Sequence, residues 1–171
     1  MAPISRKLTQ EDVPRLCQFW LDHWGGEFIV TRGNIYHPEH VEGFVVEEKN
    51  EWIGLITYKI MKPECEIVSL DGLRAGQGIG TMFINQMIEE SRARKCSRVF
   101  LITTNDNLYA LGFYQRRGFE LVAVHRGAVN ESRKIKPSIS LIGENNIPLR
   151  DEIELEMVLD ESKQVDKETS L

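Results

Sequence analysis

The chain has 171 residues, of which 42% are hydrophobic and 27% are charged, and its formal net charge at pH 7 is −5. This length and composition are typical of one globular domain with a sizeable core, and the acidic balance argues against a nucleic-acid partner. The start of the chain has no apolar targeting segment, and no apolar run approaches the ~18 residues of a membrane span. We therefore expect a cytoplasmic protein with no membrane partner.

Cysteine and histidine are too scattered to indicate a disulfide framework or a metal site. Cys17, Cys65 and Cys96 form no CxxC pair, and the four histidines form neither an HxxxH nor an HExxH pattern. We expect the cysteines to be buried or half-buried thiols and the histidines to lie on the surface or in loops.

The first predicted element is a helix that has Thr9 as its N-cap and ends at Gly25 and Gly26. Acidic residues occupy its first turn, and apolar residues recur at steps of three and four up to Trp24. The stretch that follows, 27–42, has no clean period and contains Pro38, so a loop or a short broken helix is predicted there.

The middle of the chain predicts a β-hairpin followed by a βαβ unit. Residues 43–48 and 51–61 are two β-rich runs separated by two residues, and 64–73 is a third strand that leads into a glycine-rich loop. A helix over 79–94 follows, and then the continuous apolar run 98–104, which is typical of a strand covered on both faces. The strands at 64–73 and 98–104 are therefore predicted to lie parallel.

The remainder of the chain predicts one helix and two strands. They are a helix over 107–118 that ends at Gly118, a strand over 119–129, a polar connection over 130–150 and an alternating strand over 151–159. We expect a single domain over 1–160 and a flexible tail over 161–171.

Three glycines in five positions, Gly76, Gly78 and Gly80, stand at the start of the 79–94 helix. Glycine lets a ligand approach the backbone closely, and the first N–H groups of a helix have no internal partner and lie at the positive end of its dipole. This pattern indicates a phosphate site, although a tight strand-to-helix turn without a ligand is the alternative. A P-loop is excluded because its lysine is missing, and a dinucleotide GxGxxG motif because Thr81 or Phe83 takes the last glycine position.

The loop "GQGIG" followed about 30 residues later by "NDNLYALGFYQRRGF" resembles the GCN5-related N-acetyltransferase (GNAT) family. That family's loop reads [QR]xxGx[GA] and its later helix reads NxxAxx[FL]YxxxGF. The helix motif is complete as Asn107, Ala110, Phe113, Tyr114, Gly118 and Phe119. The loop motif is present as Gly78 and Gly80, with Ala75 at its opening position and Arg74 one residue early. The resemblance covers roughly residues 8–125.

The resemblance implies an α/β fold: a mixed, mostly antiparallel twisted sheet with a central splayed parallel strand pair and helices on both faces. It implies an N-acetyltransferase that moves acetyl from acetyl-CoA to a primary amine of a small molecule or peptide. Transfer would be direct, in a ternary complex, without a metal. Cys65 and Cys96 are the only nearby residues for an acetyl-cysteine step, and no histidine neighbours either in sequence.

The resemblance also implies residues that bind acetyl-CoA. The backbone N–H groups of 76–81 would hold the pyrophosphate, namely those of Gly76, Gln77, Gly78, Ile79, Gly80 and Thr81. The pantetheine arm would lie along the edge where the parallel strands splay, with the backbone of Leu70 facing the acetyl carbonyl. Asn107 would contact this arm, although capping its helix is the alternative role. Arg116 and Arg117 could reach the 3′-phosphate or could simply complement the helix dipole.

Two catalytic roles follow from the same resemblance. Tyr114 matches the tyrosine that protonates the departing CoA thiolate; packing on the core is its alternative role, and Tyr109 competes with it. Glu66 matches a position that is often acidic and could take the ammonium proton through a water. Glu64, Asp71 and a water near backbone carbonyls are rival bases.

The acceptor amine is not encoded in any motif. The segments 25–42 and 130–150 are expected to line its site, with Trp24, Phe28 and Tyr36 and the basic stretch 125–137 at the rim. A non-catalytic acyl-CoA sensor and a nucleotide-binding module are the alternative functions. A homodimer is expected only because dimers are the commonest closed assemblies.

Overall fold

The structure, a computed structural model, describes residues 2–159. In chain order the strands are β1 (Ser5–Lys7), β2 (Ile29–Thr31), β3 (Asn34–Tyr36), β4 (Glu42–Glu48), β5 (Glu51–Met61), β6 (Glu64–Gly72), β7 (Arg98–Thr104), β8 (Glu120–His125) and β9 (Glu152–Val158). The helices are α1 (Val13–Trp24), α2 (Ile79–Ala93), α3 (Leu108–Arg116) and α4 (Ala128–Ile135). The predicted tail, 161–171, lies outside the described residues.

Seven of the strands form one sheet, in the order β1-β4-β5-β6-β7-β9-β8. Every neighbouring pair in it is antiparallel except β6 and β7, which are parallel. The strands β2 and β3 form a separate hairpin. The predicted fold is therefore confirmed, including the parallel pair near the centre of the sheet.

Two hydrophobic cores lie on opposite faces of the sheet. On one face the apolar sides of α2 and α3 pack against it, and Phe83 and Met87 are fully buried there. On the other face α1 and the β2–β3 hairpin cover the sheet, with Trp20 fully buried. Consecutive strand residues alternate between the two cores, as Leu55 and Ile56 do, because successive side chains of a strand point to opposite faces.

The parallel strands separate at a β-bulge. Pairing of β6 with β7 runs from Glu64 opposite Arg98 to Ile67 opposite Leu101 and then stops. At the same point Val68 is an extra residue of β6, because Tyr58 of β5 faces Ile67 while the preceding residue of β5 faces Ser69. A bulge bends its strand and increases the local twist. Beyond it β6 stays with β5 and β7 stays with β9, so a gap opens between them.

Besides the short strand β1, which was not predicted, two segments differ from the predictions. The predicted loop 27–42 contains the β2–β3 hairpin, whose turn places Arg32 and Gly33 at φ of 50° and 76°. The predicted strand 119–129 is limited to β8, and α4 begins at Ala128 and extends into the predicted polar connection. Strands of three residues and a helix of eight are too short for periodicity to show them. None of the helices in residues 2–159 combines the length and apolar character needed to cross a membrane.

Candidate active site

The gap between β6 and β7 opens into a cavity of about 420 Å³. Its walls are the β6 residues beyond the bulge, the end of β7, the glycine loop and one side of α3. It brings together most of the predicted site residues, namely Leu70, Gly76, Gly78, Ile79, Gly80, Thr81, Asn107, Tyr114 and Arg117. Gln77 is exposed and is not among the lining residues.

The three loop glycines meet two different requirements. Gly76 and Gly78 have φ of 78° and 70°, in the left-handed region that side chains disfavour. Gly80 lies inside α2, where a Cβ would come within 2.8 Å of Phe113 Cζ. The loop can therefore turn directly into α2, whose first residues line the cavity, and α3 can pack closely against it.

The side chains beside the glycine loop add little to its capacity to bind an anion. Ala75 lines the cavity where the family motif has Gln or Arg, and a methyl group cannot donate a hydrogen bond. Arg74 also lines the cavity, but its guanidinium forms an ion pair with Glu48. An anion at this loop would therefore be bound by backbone N–H groups.

Of the two neighbouring arginines, Arg117 lies at the cavity. Its guanidinium donates to Thr81 Oγ1 at 2.9 and 3.0 Å and to the Phe113 carbonyl at 2.9 Å, and it stacks 3.6 Å from the centroid of the Phe113 ring. Arg116 is exposed and does not line the cavity. A cation is therefore fixed beside the first turn of α2.

Asn107 is the N-cap of α3 and a wall of the cavity at once. Its Oδ1 accepts a hydrogen bond from the Ala110 N–H at 3.0 Å, so the capping role is present. The neighbouring Asn105 instead accepts from the N–H groups of Arg150 and Asp151. Within residues 2–159 the amide nitrogen of Asn107 has no partner and remains able to donate to a ligand.

Tyr114 is buried at the back of the cavity with its ring between two phenylalanines. The ring centroids of Phe113 and Phe119 lie 5.1 and 5.4 Å away, both in edge-on arrangements. Among the described residues its hydroxyl has no hydrogen-bond partner. Burial raises the pKa of Tyr114 and the nearby Asp71 charge adds to the rise, so the hydroxyl is protonated at neutral pH. The rival Tyr109 also lines the cavity but is 74% exposed.

Glu66 lies just before the bulge and is only 2% exposed. Its Oε1 accepts from Thr31 Oγ1 at 2.8 Å, and its Oε2 accepts from the Tyr36 hydroxyl. Burial raises the pKa of Glu66, and these two hydrogen bonds oppose the rise. Glu66 does not line the cavity, whereas the next residue, Ile67, does. The β2–β3 hairpin thus covers a carboxylate that an open strand face would have left exposed.

The rival bases are also engaged. Glu64 accepts from Arg98 Nε at 2.8 Å in an ion pair at the far end of β6. Asp71 accepts from Trp24 Nε1 at 2.9 and 3.2 Å, and burial raises the pKa of Asp71. Glu64 is therefore compensated by a cation, whereas Asp71 and Glu66 are held by neutral donors.

The predicted acceptor rim is only partly present at the cavity. Trp24 lines the cavity, whereas Phe28 and Tyr36 do not. The basic stretch 125–137 contains α4, and two of its cations bind backbone: Lys136 donates to the Phe28 carbonyl at 3.0 Å, and Arg133 donates to three carbonyls. These cations therefore fasten loops to the fold.

Thr31, Ser69 and Thr103 are the polar site residues that the sequence did not indicate. Ser69 and Thr103 line the cavity, and Thr31 binds Glu66. No local pattern marks them, because their positions depend on the bulge and on the hairpin. Among the described residues, no group of three or more His, Cys, Asp or Glu is arranged to hold a metal ion.

The fold and the cavity define an α/β protein with a glycine-lined cavity at the point where two parallel strands separate. The sequence model of the acetyltransferase (GNAT) family matches residues 6–119, and the chain belongs to this family, which confirms the resemblance. The chain is 42% identical to the uncharacterised Bacillus subtilis protein YdhI over 146 residues, 85% of this chain and 91% of YdhI.

Two solved structures show the same fold. The IAA acetyltransferase of Bacillus cereus superposes with a TM-score of 0.73 at 20% identity, over 91% of this chain and 99% of that one. A GNAT family acetyltransferase of Elizabethkingia anophelis, with acetyl-CoA bound, gives a TM-score of 0.67 at 19% identity, over 92% of this chain and 99% of that one.

Proposed function

We propose that the protein is an N-acetyltransferase that transfers acetyl from acetyl-CoA directly to a primary amine in a ternary complex. The observation that carries the proposal is the single cavity that contains the glycine loop, Asn107 and Tyr114 in the gap between β6 and β7. The pyrophosphate of CoA fits the N–H groups at the start of α2, and Arg117 fits the 3′-phosphate. Membership of an acetyltransferase family supports the choice of acyl group.

The extended backbone of β6 beyond the bulge would position the thioester. The edge of β6 that faces the gap does not pair with β7, so the amides of the pantetheine arm can form hydrogen bonds with it as another strand would. The Leu70 N–H would donate to the acetyl carbonyl and stabilise the negative charge that builds on its oxygen during attack. Asn107 would donate its free amide N–H groups to the same arm.

Two buried side chains, Glu66 and Tyr114, would carry out the proton transfers. The amine nitrogen attacks the carbonyl carbon, its proton passes through a water to Glu66, and the C–S bond breaks as Tyr114 gives its proton to the sulfur. Glu66 suits the first role because its pKa is raised toward neutral pH, and a general base is most effective when its pKa lies near the operating pH. Asp71 is the rival for this role.

The acceptor is a primary amine on a small molecule or peptide, which enters the cavity beside Trp24, the residue of the predicted acceptor site that lines it. Cytoplasmic location and a homodimer stay predictions.

Binding can be tested first by thermal melting with acetyl-CoA, CoA and ATP. A ligand at ~100 times its Kd adds ~2.7 kcal/mol of stability, which for a chain of this size is a rise of roughly 5 to 10 °C. We expect this rise with both CoA compounds and none with ATP. A rise with ATP and none with CoA would instead identify a nucleotide-binding module.

Catalysis can be tested by thiol release from acetyl-CoA with a panel of amines. We expect Tyr114→Phe to lower kcat by ~10²-fold or more, the usual contribution of a general acid, with the Kd for CoA largely unchanged. Tyr109→Phe tests the rival tyrosine, and Glu66→Gln beside Asp71→Asn tests the two bases. Saturable CoA binding without thiol release in the presence of any amine would support the non-catalytic sensor instead.

A further inference from the structure

Both oxygens of the Glu66 carboxylate are held by hydroxyl groups of the β2–β3 hairpin. Thr31 on β2 donates to Oε1 at 2.8 Å, and Tyr36 on β3 donates to Oε2. Thr31 is 8% exposed and Tyr36 is 5% exposed, so both hydroxyl donors belong to buried residues of the hairpin. The hairpin thus contributes two separate hydrogen bonds to one buried acid.

We propose that the β2–β3 hairpin is the positioning element of the catalytic base, in which Thr31 and Tyr36 fix the orientation of Glu66 and keep its carboxylate ionised until it accepts the amine proton. This inference rests on the proposed function, because it presupposes that Glu66 accepts the amine proton. Thr31 and Tyr36 are positioning residues and do not touch the reacting atoms.

The charges around Glu66 show why such donors are needed. Glu152 and Glu154 face it from β9, and both disfavour its ionised form, as burial also does. Arg98 from β7 and His125 from β8 both bind Glu154 rather than Glu66. The two hydroxyls are therefore the groups that directly stabilise the Glu66 carboxylate.

Two donors leave the carboxylate able to act. An ionised carboxylate has about four lone-pair sites, and Thr31 and Tyr36 occupy one on each oxygen. The remaining sites can accept a hydrogen bond from the water that carries the amine proton. A carboxylate fixed in one orientation presents these sites in a constant direction, which a freely rotating side chain would not do.

The hairpin has a second attachment that does not involve Glu66. The Arg32 N–H donates to Glu152 Oε2 at 2.9 Å, and Ser132 of α4 donates to the other oxygen at 3.1 Å. The Tyr36 ring is also part of the core beneath α1. Removing only the Tyr36 hydroxyl should therefore leave the hairpin in place, so a functional effect can be separated from unfolding.

The test is the pH dependence of kcat/KM for thiol release in wild type, Tyr36→Phe, Thr31→Val and Glu66→Gln. Removing a donor to the charged form raises the pKa of Glu66, so the acidic limb of the profile should move upward by about one pH unit in the first two variants. Glu66→Gln should abolish this limb. Tyr58→Phe is the matched control: it also removes a fully buried tyrosine hydroxyl, one that has no partner among residues 2–159, and should leave the limb in place.

The titration of Glu66 followed by NMR of a ¹³C-labelled side-chain carboxyl, assigned with Glu66→Gln, gives a readout that needs no turnover. A higher pKa in Tyr36→Phe than in wild type supports the inference; the same pKa overturns it. If wild type is active but the acidic limb stays in place in both hydroxyl variants, or if they only lower the melting temperature, the inference fails while the proposed function stands. If wild type releases no thiol with any amine, the proposed function fails and the catalytic role of the hairpin fails with it.

Discussion

Replacing Gly80 by alanine tests the close contact of α2 and α3 that forms one wall of the cavity. The new Cβ would lie 2.8 Å from Phe113 Cζ and 3.0 Å from Cε2, whereas an ordinary contact begins at 3.4 Å, so the ring must retreat by about 0.6 Å. Overpacking of this kind costs ~1–3 kcal/mol, and the better helix propensity of alanine returns up to ~1 kcal/mol. We expect a net loss of up to ~2 kcal/mol, or a melting temperature lower by up to ~8 °C.

The same substitution should weaken CoA binding. The Arg117 guanidinium rests 3.6 Å from the centroid of the Phe113 ring and also donates to Thr81 beside the glycine loop. Displacing the ring therefore displaces the cation that we propose binds the 3′-phosphate. Isothermal titration calorimetry with CoA should show a higher Kd for Gly80→Ala than for wild type.

Gly112→Ala is the matched control, because it is also a glycine-to-alanine change inside a helix. Its Cβ would meet Arg116 Nη1 at 2.8 Å, but this is the far end of a flexible, exposed side chain that can move at little cost. We expect the helix propensity term of ~1 kcal/mol to dominate and to raise the melting temperature by ~2–4 °C with an unchanged Kd for CoA. A Gly80→Ala protein that is stabilised like Gly112→Ala and binds CoA as wild type does would refute the contact.

Three further changes test separate interactions. Arg117→Ala should raise the Kd for CoA more than that for 3′-dephospho-CoA, whereas Arg116→Ala should leave the ratio of the two unchanged in calorimetry. Asn107→Ala removes an N-cap and should lower the free energy of unfolding in urea by ~1 kcal/mol. The Arg6 guanidinium lowers the pKa of Asp12 to about 2, so this pair stabilises the fold above the unfolded pKa of Asp12, near 4, and stops doing so as pH falls through about 2. Asp12→Asn should therefore be less stable than wild type in urea at pH 6 and nearly equal to it at pH 2.

The part of the site that we propose binds acetyl-CoA, here called the donor side, could be predicted because its sequence signals are local. The loop glycines need backbone angles and close approaches that other residues disfavour, so their spacing shows in one short stretch. The helix motif combines a cap, Asn107, with apolar anchors at helical spacing, Phe113 and Tyr114. Each of these requirements is met within one helix and its preceding loop, and the structure places all of them at the cavity.

The hairpin and α4 could not be predicted in the same way. The turn of the hairpin uses Arg32 with a positive φ, where the usual sequence signal would be asparagine or aspartate before glycine. In α4 only Val129 and Ser132 are buried, so no apolar stripe marks the helix. Both elements are stabilised by contacts with distant carboxylates, Glu66 and Glu152, which a single-sequence pattern does not contain.

This contrast follows from how the two sides of the site are built. The donor side relies on backbone N–H groups and a strand edge, which persist when side chains change. Ala75 can therefore replace the Gln or Arg of the motif while the backbone N–H groups proposed to bind the pyrophosphate are retained. The other side relies on side chains, with Thr31, Tyr36 and Trp24 bound to acids of β6. A substitution there would change the hydrogen bonds of the proposed base, Glu66, and of its rival, Asp71. Acceptor choice should therefore be set by residues 25–42 and α4, and exchanging these segments with those of a relative should change the amine preference while the Kd for CoA stays the same.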